Sequence, residues 1–277
     1  MEDGLLWIIQ LNLLTDMNTY NFNVEKNIQD CIQWIKDWFE KNGPGCNAII
    51  GLSGGKDSTI AAALLAKALG PEKVIGVAMP DHDQGVNDAD KIAKFLGIQY
   101  MTAPIDNITS GFQKMWSYFG DEDFKWSKQS EQNIPPRIRM TMLYALSQTY
   151  NGRVVNTCNL SEDYVGYATL FGDAAGSFSP ISGFTVTELY QIGDYLNLPY
   201  EWVHKIPADG LPHSSSDEEK FGFSYEELDR YIREGIEPVG QCLNSEELKI
   251  DKIKRMHKAN LFKTEIIRIP HYEPSIK

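Results

Sequence analysis

The sequence has little cysteine: four residues among 277, none of them paired as C-x-x-C. Cys31, Cys46, Cys158 and Cys242 also have no histidine neighbours at the spacing of a zinc site. These absences argue against a structural zinc centre and against a disulfide framework. We therefore expect four reduced, mostly buried thiols in a cytoplasmic protein.

Positive charge is also scarce, because 26 Lys and Arg residues face 38 Asp and Glu residues, giving a net charge of −12. A dedicated nucleic-acid binder usually has a basic surface, so we expect no nucleic-acid partner. The apolar run in "MEDGLLWIIQLNLL" is too short for a membrane span, and its acidic start is unlike a secretory signal. We expect no membrane partner, and we interpret residues 1–16 as an N-terminal extension, disordered or docked on a partner, before a single domain over residues 17–277.

Short apolar runs alternate with helical patterns along the first half of the chain. "CNAIIGL", "KVIGVAM" and "IQYMTAPI" read as buried strands, and "STIAAALLAKALG" and "GVNDADKIAKFLG" as the helices between them. The second helix is expected to turn Ile92, Phe95 and Leu96 inward. A helix over residues 22–43 precedes these elements; a helix after Pro136 and a fourth strand at "GRVVNT" follow them. The fold class predicted is α/β: a doubly wound parallel sheet with flanking helices.

"GLSGGKDSTI", residues 51–60, has the glycines, lysine and hydroxyls of a phosphate-binding loop. It fails the Walker A pattern twice. Asp57 stands where a hydroxyl residue must follow the Gly-Lys pair, and Ile50 stands where the first glycine must be. The stretch is therefore not a kinase-type P-loop.

The same stretch satisfies S-G-G-x-D-S between a strand and a helix N-terminus, where free N–H groups bind anions. A carboxylate beside phosphates is repelled unless a divalent cation lies between them, so Asp57 is predicted to bind Mg²⁺. The motif resembles the PP-loop of the N-type ATP pyrophosphatases, which cleave ATP between the α- and β-phosphates. ATP is then the co-substrate, and its phosphates are assigned to Gly51, Leu52, Ser53, Gly54, Gly55, Lys56, Asp57 and Ser58.

Several separate segments resemble the NAD synthetases. They are "NIPPRIRMTMLY", "NTCNLSEDYVGYATLFGDAAGSFSPI", "VHKIPADGL", "SDEEKFGFSYEELDRYI" and "KRMHKANLFK", and together they extend the resemblance over about residues 22–270. The resemblance implies an adenine-nucleotide α-hydrolase-like fold and an ATP-dependent ligase. In that reaction ATP adenylates the nicotinate carboxylate of deamido-NAD, and ammonia then displaces AMP to give NAD. It also implies a homodimer.

The resemblance assigns further site residues by position. Glu162 in "NLSE" corresponds to the second carboxylate on Mg²⁺, and Thr157 to an ATP contact. Asp173 corresponds to a catalytic residue that supports the substrate loop or its ammonia site, and a capping role is equally open. The residues assigned to deamido-NAD are Arg137, His257 and Lys258.

Four positions depart from the family pattern: Leu170 replaces a lysine, Ser177 an aspartate, Val186 a lysine, and Ala208 a serine or threonine. Leu170 and Ser177 together remove one cation and one anion from the substrate pocket. Lys56 and Lys205 are candidates to replace the lost positive charge. Whether these changes weaken activity stays open at this point.

The nitrogen source and two rival functions complete the expectations. About fifty residues precede the PP-loop, too few for the glutamine-hydrolysing domain of some NAD synthetases, so we expect free ammonia or ammonia from a separate protein. One rival is another PP-loop adenylating ligase. The other is a catalytically impaired nucleotide-binding relative, against which the Asp57 and Glu162 pair argues.

Overall fold

The computed structural model describes residues 20–82, 87–115, 125–204, 216–243 and 245–276. The predicted extension over residues 1–16, together with Lys205 and Ala208, lies outside these ranges. The described residues form a four-stranded parallel sheet of order β3-β2-β1-β4. Its strands are β1 (Asn47–Gly51), β2 (Val74–Ala78), β3 (Gln99–Thr102) and β4 (Gly152–Val154).

Helices connect and cover the strands. Those of the first half are α1 (Val24–Asn42), α2 (Lys56–Leu69), α3 (Asn87–Leu96), α4 (Asp106–Lys114) and α5 (Lys128–Thr149). Those of the second half are α6 (Leu160–Val165), α7 (Val186–Tyr195), α8 (Tyr200–Val203), α9 (Asp217–Phe221), α10 (Tyr225–Glu234) and α11 (Lys249–Ile266). None of the helices in the described ranges is long and apolar enough to cross a membrane.

The two faces of the sheet are buried under different helices. Ala48 and Ile50 of β1 pack in one cluster with α1 and α2, whereas Ile49 between them packs in a second cluster with α5. Alternate side chains of a strand point to opposite faces, so a strand covered on both sides must be apolar throughout. This confirms the predicted doubly wound α/β fold and brings the carboxyl ends of all four strands to one edge.

A satellite apolar cluster joins the second half of the chain at that edge. It contains Val165, Val186, Phe221, Phe223, Tyr225, Leu228 and Ile253, from α6, α7, the α9–α10 segment and α11. The cluster therefore fixes α6 and α10 against each other beside the carboxyl edge. The residues after α11 return to the main body, where His271 forms an isolated β-bridge with Ser179 and Ile276 forms one with Phe22.

Two expectations about elements were wrong, and one helix was not expected. Phe95 is 54% exposed, and its ring lies edge-on against Trp202 at 5.5 Å between centroids instead of entering the core. Helix α5 begins at Lys128, before Pro135 and Pro136, because Ser127 caps its first turn by accepting a hydrogen bond from the Ser130 amide at 3.1 Å. The glycine-rich stretch after β4 also contains a helix, α6.

Candidate active site

The turn from β1 to α2 is shaped by glycine. The Leu52 amide still donates to Val77 O of β2 at 2.9 Å, and Gly54 then takes a φ of +82°. A β-carbon on Gly54 would lie 3.1 Å from the β-carbon of Asp88, so a side chain there meets both strain and a close neighbour. The turn therefore requires glycine at residue 54.

The N-terminus of α2 has the features of an anion site. Gly55 is its N-cap, and no side chain of the described residues caps this helix end. The hydroxyls of Ser53 and Ser58 lie 3.2 Å apart beside it. Uncapped amides, the helix dipole and two hydroxyls together suit phosphate oxygens.

Asn159 links the two carboxylates assigned to the metal. Its side-chain amide donates to Asp57 Oδ1 at 3.2 Å, and its side-chain oxygen accepts from the Glu162 amide at 3.0 Å. Asn159 is the N-cap of α6 and is fully buried. One side chain therefore fixes the start of α6, which carries Glu162, against the start of α2, which carries Asp57.

Burial and neighbouring charges shift the pKa values of two residues in the site, Glu162 and Lys56. Burial, and after it the negative charge of Asp57, raises the pKa of Glu162 well above its usual range, while Lys56 opposes this. Burial lowers the pKa of Lys56, but the charges of Asp57 and Glu162 raise it to a net value above normal. Lys56 is therefore a buried, protonated counter-ion, and its ammonium donates to Asp57 Oδ2 at 2.9 Å.

Two more carboxylates lie near Glu162. Burial and then Asp173 raise the pKa of Asp163 to about 7. Asp173 accepts a hydrogen bond from the Thr169 amide at 2.8 Å, and burial raises its pKa too. Asp173 thus closes the turn of residues 169–173 with its side chain.

The donor set fits magnesium in a nucleotide complex. Within the described ranges, no three His, Cys, Asp or Glu side chains gather into a complete metal cage. Mg²⁺ at phosphate-transfer sites commonly binds through one or two carboxylates, completing its shell with substrate phosphates and water. Asp57 and Glu162 supply two carboxylates next to the anion-binding helix end.

The remaining predicted residues lie on other elements of the chain. Thr157 follows β4 at the carboxyl edge. Arg137 Nε donates to Leu170 O at 3.2 Å, so it holds the loop at the position where the family lysine is missing. His257 Nδ1 bonds to Tyr164 O at 2.9 Å and its ring stacks on Tyr164, while Lys258 is exposed. The structure thus brings Asp57 and Glu162 together, and shows Arg137 and His257 bracing the loop and α6.

Two of the four departures from the family pattern, Ser177 and Val186, have a structural place in the described residues. The Ser177 hydroxyl accepts from the Val154 amide at 3.2 Å and extends the pairing of β4. Val186 is fully buried in the satellite cluster and therefore carries no charge into the site. Lys56 remains as a buried cation at the centre.

Sequence reasoning missed the residues that position the site. Ser161 donates to Asp229 Oδ1 at 2.5 Å and accepts from the Val186 amide at 2.9 Å, which ties α6 to α7 and α10. Arg139 donates to Met79 O at 2.9 Å at the end of β2. Asn159 carried a local signal, since it precedes a short helix by one residue as an N-cap does, but its contact with Asp57 joins residues far apart in sequence.

Comparison with known proteins agrees with this geometry. The family model described as NAD synthase matches residues 27–267. The chain belongs to the NAD synthase family. An NH(3)-dependent NAD(+) synthetase of Carboxydothermus hydrogenoformans is 33% identical over 252 residues, 90% of this chain and 98% of that protein. Another, of Methanocaldococcus jannaschii, is 35% identical over 215 residues, 76% of this chain and 81% of that protein.

Solved structures of the family superpose closely. An NMN synthetase from Francisella tularensis gives a TM-score of 0.77 at 27% identity, covering 91% of this chain and all of that one. An NH3-dependent NAD synthetase from Campylobacter jejuni gives 0.68 at 27% identity, covering 90% and 99%. These findings confirm the predicted NAD synthase family, PP-loop fold and ligase class, and they support neither rival reading.

Proposed function

We propose that the protein converts the nicotinate carboxylate of deamido-NAD into the carboxamide of NAD, with ATP and ammonia as co-substrates. The observation that carries this proposal is the pairing of Asp57 and Glu162 through Asn159 at the uncapped start of α2. Relatives named as NH(3)-dependent NAD(+) synthetases support the same reaction.

The chemistry has two steps. A carboxylate oxygen attacks the α-phosphorus of ATP, and the bond from that phosphorus to pyrophosphate breaks. Ammonia then attacks the carbonyl carbon, the carbon–oxygen bond breaks, the oxygen leaves with AMP, and the nitrogen loses a proton. AMP is a far better leaving group than hydroxide, which is why the carboxylate is activated first.

The roles of individual residues are part of this proposal. Residues 51–58 hold the ATP phosphates, and Thr157 contacts ATP from the end of β4. Asp57 and Glu162 hold Mg²⁺, which when bound neutralises phosphate charge and favours attack on phosphorus. The low-dielectric wall of the satellite cluster limits access of water that would hydrolyse the adenylate.

The substrate side of the site uses the loop after β4. Arg137, His257 and Lys258 meet deamido-NAD, and the bond from Arg137 to Leu170 O shows that Arg137 reaches this loop. Asp173 accepts from the Thr169 amide and in this proposal supports the substrate loop or its ammonia site. A guanidinium suits phosphate or carboxylate oxygens, which the dinucleotide supplies.

The assembly and setting of the enzyme belong to the same proposal. Residues 17–277 form one NAD synthetase domain, supported by the family match over residues 27–267. The protein works in the cytoplasm as a homodimer, without nucleic-acid or membrane partners, and takes ammonia that is free or delivered by a separate protein. The net charge of −12 supports the absence of nucleic acid.

A second acceptor has a precedent among the similar structures. One of them is an NMN synthetase, which superposes with a TM-score of 0.77 at 27% identity. Deamido-NMN carries the same nicotinate carboxylate as deamido-NAD but lacks the adenylate half. Its amidation therefore needs no change in the chemistry at Asp57 and Glu162.

The test is chromatography of NAD, NMN and AMP after incubation with ATP, Mg²⁺, ammonium and either acceptor. We expect NAD in step with AMP, no product with glutamine in place of ammonium, and loss of product in Asp57→Asn. Asp37→Asn, a surface change on α1, is the matched control and keeps full activity. ATP binding without AMP formation under these conditions contradicts the proposal, and product from deamido-NMN alone assigns the second acceptor.

A further inference from the structure

Tyr225 holds an unpaired hydroxyl beside the active site. The residue opens α10, is only 3% exposed, and its hydroxyl oxygen has no hydrogen-bond partner among the described residues. Burial, and then the charges of Glu162, Asp217 and Asp57, raise its pKa, so the hydroxyl keeps its proton and lies within electrostatic reach of both metal-ligating carboxylates. Leaving such a buried donor unpaired costs about 1–3 kcal/mol, so it calls for an explanation.

Lys56 has unused donors at the same place. Its ammonium is 4% exposed and lies 5.9 Å from the centroid of the Tyr225 ring. An ammonium carries three N–H donors. In the described part of the chain one of them is used, in the hydrogen bond to Asp57 Oδ2 at 2.9 Å. Two buried N–H donors therefore accompany the buried O–H of Tyr225.

The surroundings of the two side chains combine an apolar cluster with a helix end. Tyr225 belongs to the apolar satellite cluster, with Val186 and Phe221. Lys56 is the first residue of α2, where the N-cap Gly55 leaves the helix amides without a side-chain cap. Three unmet side-chain donors around an uncapped helix end suit a ligand with several anionic oxygens.

We infer that Lys56 and Tyr225 form a donor pair for the pyrophosphate that leaves ATP. The inference rests on the proposed function, because pyrophosphate is a product of that reaction. Of the products of the reaction, pyrophosphate has the most terminal phosphate oxygens, and it gains negative charge when its bond to the α-phosphorus breaks. A fixed ammonium and hydroxyl then stabilise the leaving group without reorganising.

The test measures binding of magnesium pyrophosphate, AMP and deamido-NAD by titration calorimetry to the full-length protein. Tyr225→Phe removes one oxygen and is expected to weaken pyrophosphate binding about tenfold, as loss of a hydrogen bond to a charged group does. AMP and deamido-NAD affinities stay unchanged. Tyr150→Phe, at an exposed tyrosine on the opposite edge of the sheet, is the matched control and changes nothing.

The melting temperature separates a ligand-binding role of the Tyr225 hydroxyl from a structural one. Because the hydroxyl is unpaired, Tyr225→Phe should leave the melting temperature of the ligand-free protein unchanged or raised. Lys56→Gln provides the second variant, and we expect it to lose more pyrophosphate affinity than Tyr225→Phe because it also removes a charge.

Three outcomes overturn the donor pair: wild-type pyrophosphate affinity in Tyr225→Phe, wild-type affinity in Lys56→Gln, or an equal loss for AMP or deamido-NAD. Formation of NAD by the unmodified protein in the same preparation separates this inference from the proposed function. If NAD forms while both variants bind pyrophosphate normally, only the donor pair fails. If no NAD forms but the variants lose pyrophosphate, the proposed reaction fails and the donor pair stands.

Discussion

Glu162 is held in the site at a cost to stability. Its raised pKa means that the folded protein binds the carboxyl proton more tightly than the unfolded chain does, so unfolding releases protons. The stability from this group is therefore present at low pH and is lost as pH rises above the usual value of 4.5 toward the raised one. Metal binding needs the ionised carboxylate, so it strengthens over the same range.

The substitution Glu162→Gln separates the effect of this carboxylate on stability from its effect on metal binding. We expect NAD formation to fall by about two orders of magnitude, since a ligand to the metal is lost. We also expect the variant to be at least as stable as the original protein in urea unfolding at pH 8, because the substitution removes a buried negative charge. Unchanged turnover, or a stability that falls with the substitution at pH 8, would contradict this account of Glu162.

Single residues differed in how far the sequence could place them. The role of Asp57 could be predicted from the sequence, because a carboxylate inside a phosphate-binding loop is repelled by the phosphates unless a cation lies between them. The role of Asn159 could not, since its partner Asp57 lies far away in sequence. Phe95 was placed wrongly because helical periodicity does not distinguish a core contact from a surface contact with the ring of Trp202.

At the scale of elements, the strand–loop–helix unit around residues 47–69 followed from local pattern alone. Its apolar run, glycines and helix-forming stretch all agree with one structure. Helix α6 could not be predicted from the sequence, because six residues with a single capping side chain give no periodic hydrophobic pattern. The early start of α5 could not be predicted either, since tandem prolines usually mark a helix boundary and here lie inside the helix.

One of the links between α7 and α10 is a buried ion pair. Arg233 Nη2 donates to Glu188 Oε2 at 2.8 Å, and Arg233 Nε donates to Glu188 Oε1 at 2.9 Å. Glu188 is fully buried and also accepts from the Thr185 amide at 2.8 Å, capping α7. Breaking the pair leaves an uncompensated charge in the interior.

Arg233→Met is therefore expected to destabilise the protein by about 3–5 kcal/mol in urea unfolding. Adding Glu188→Gln should recover part of the loss, because glutamine is neutral and still accepts from the Thr185 amide. Arg230→Met, on the exposed side of the same helix, serves as the matched control. A loss of less than about 1 kcal/mol in Arg233→Met would show that the pair does not hold α7 and α10 together.

On the scale of the whole molecule, the parallel sheet was predictable because alternating strands and helices permit few topologies. The packing of the C-terminal half was not, since the satellite cluster gathers residues from four separated segments. Among the described residues, Ile108, Phe112 and Met115 of the α4 region form an apolar face, each 44% exposed at helical spacing. A face of this kind supports the proposed homodimer.

Light scattering checks the dimer. We expect twice the chain mass of 31.3 kDa for the original protein and a shift toward the single mass for Ile108→Glu, because a charge cannot be buried unpaired in an apolar interface. Leu243→Glu, at another exposed apolar residue, is expected to leave the mass unchanged. A single chain mass for the original protein at micromolar concentration would remove the homodimer from the account.

The most direct test of the central claim follows one oxygen atom. Deamido-NAD labelled with ¹⁸O in its nicotinate carboxylate is incubated with ATP, Mg²⁺ and ammonium, and AMP and pyrophosphate are analysed by mass spectrometry. Because the carboxylate attacks the α-phosphorus, we predict one labelled oxygen in AMP for each NAD formed and none in pyrophosphate. Unlabelled AMP, or label in any product of cleavage at the γ-phosphate, would contradict adenylation of the carboxylate at this site.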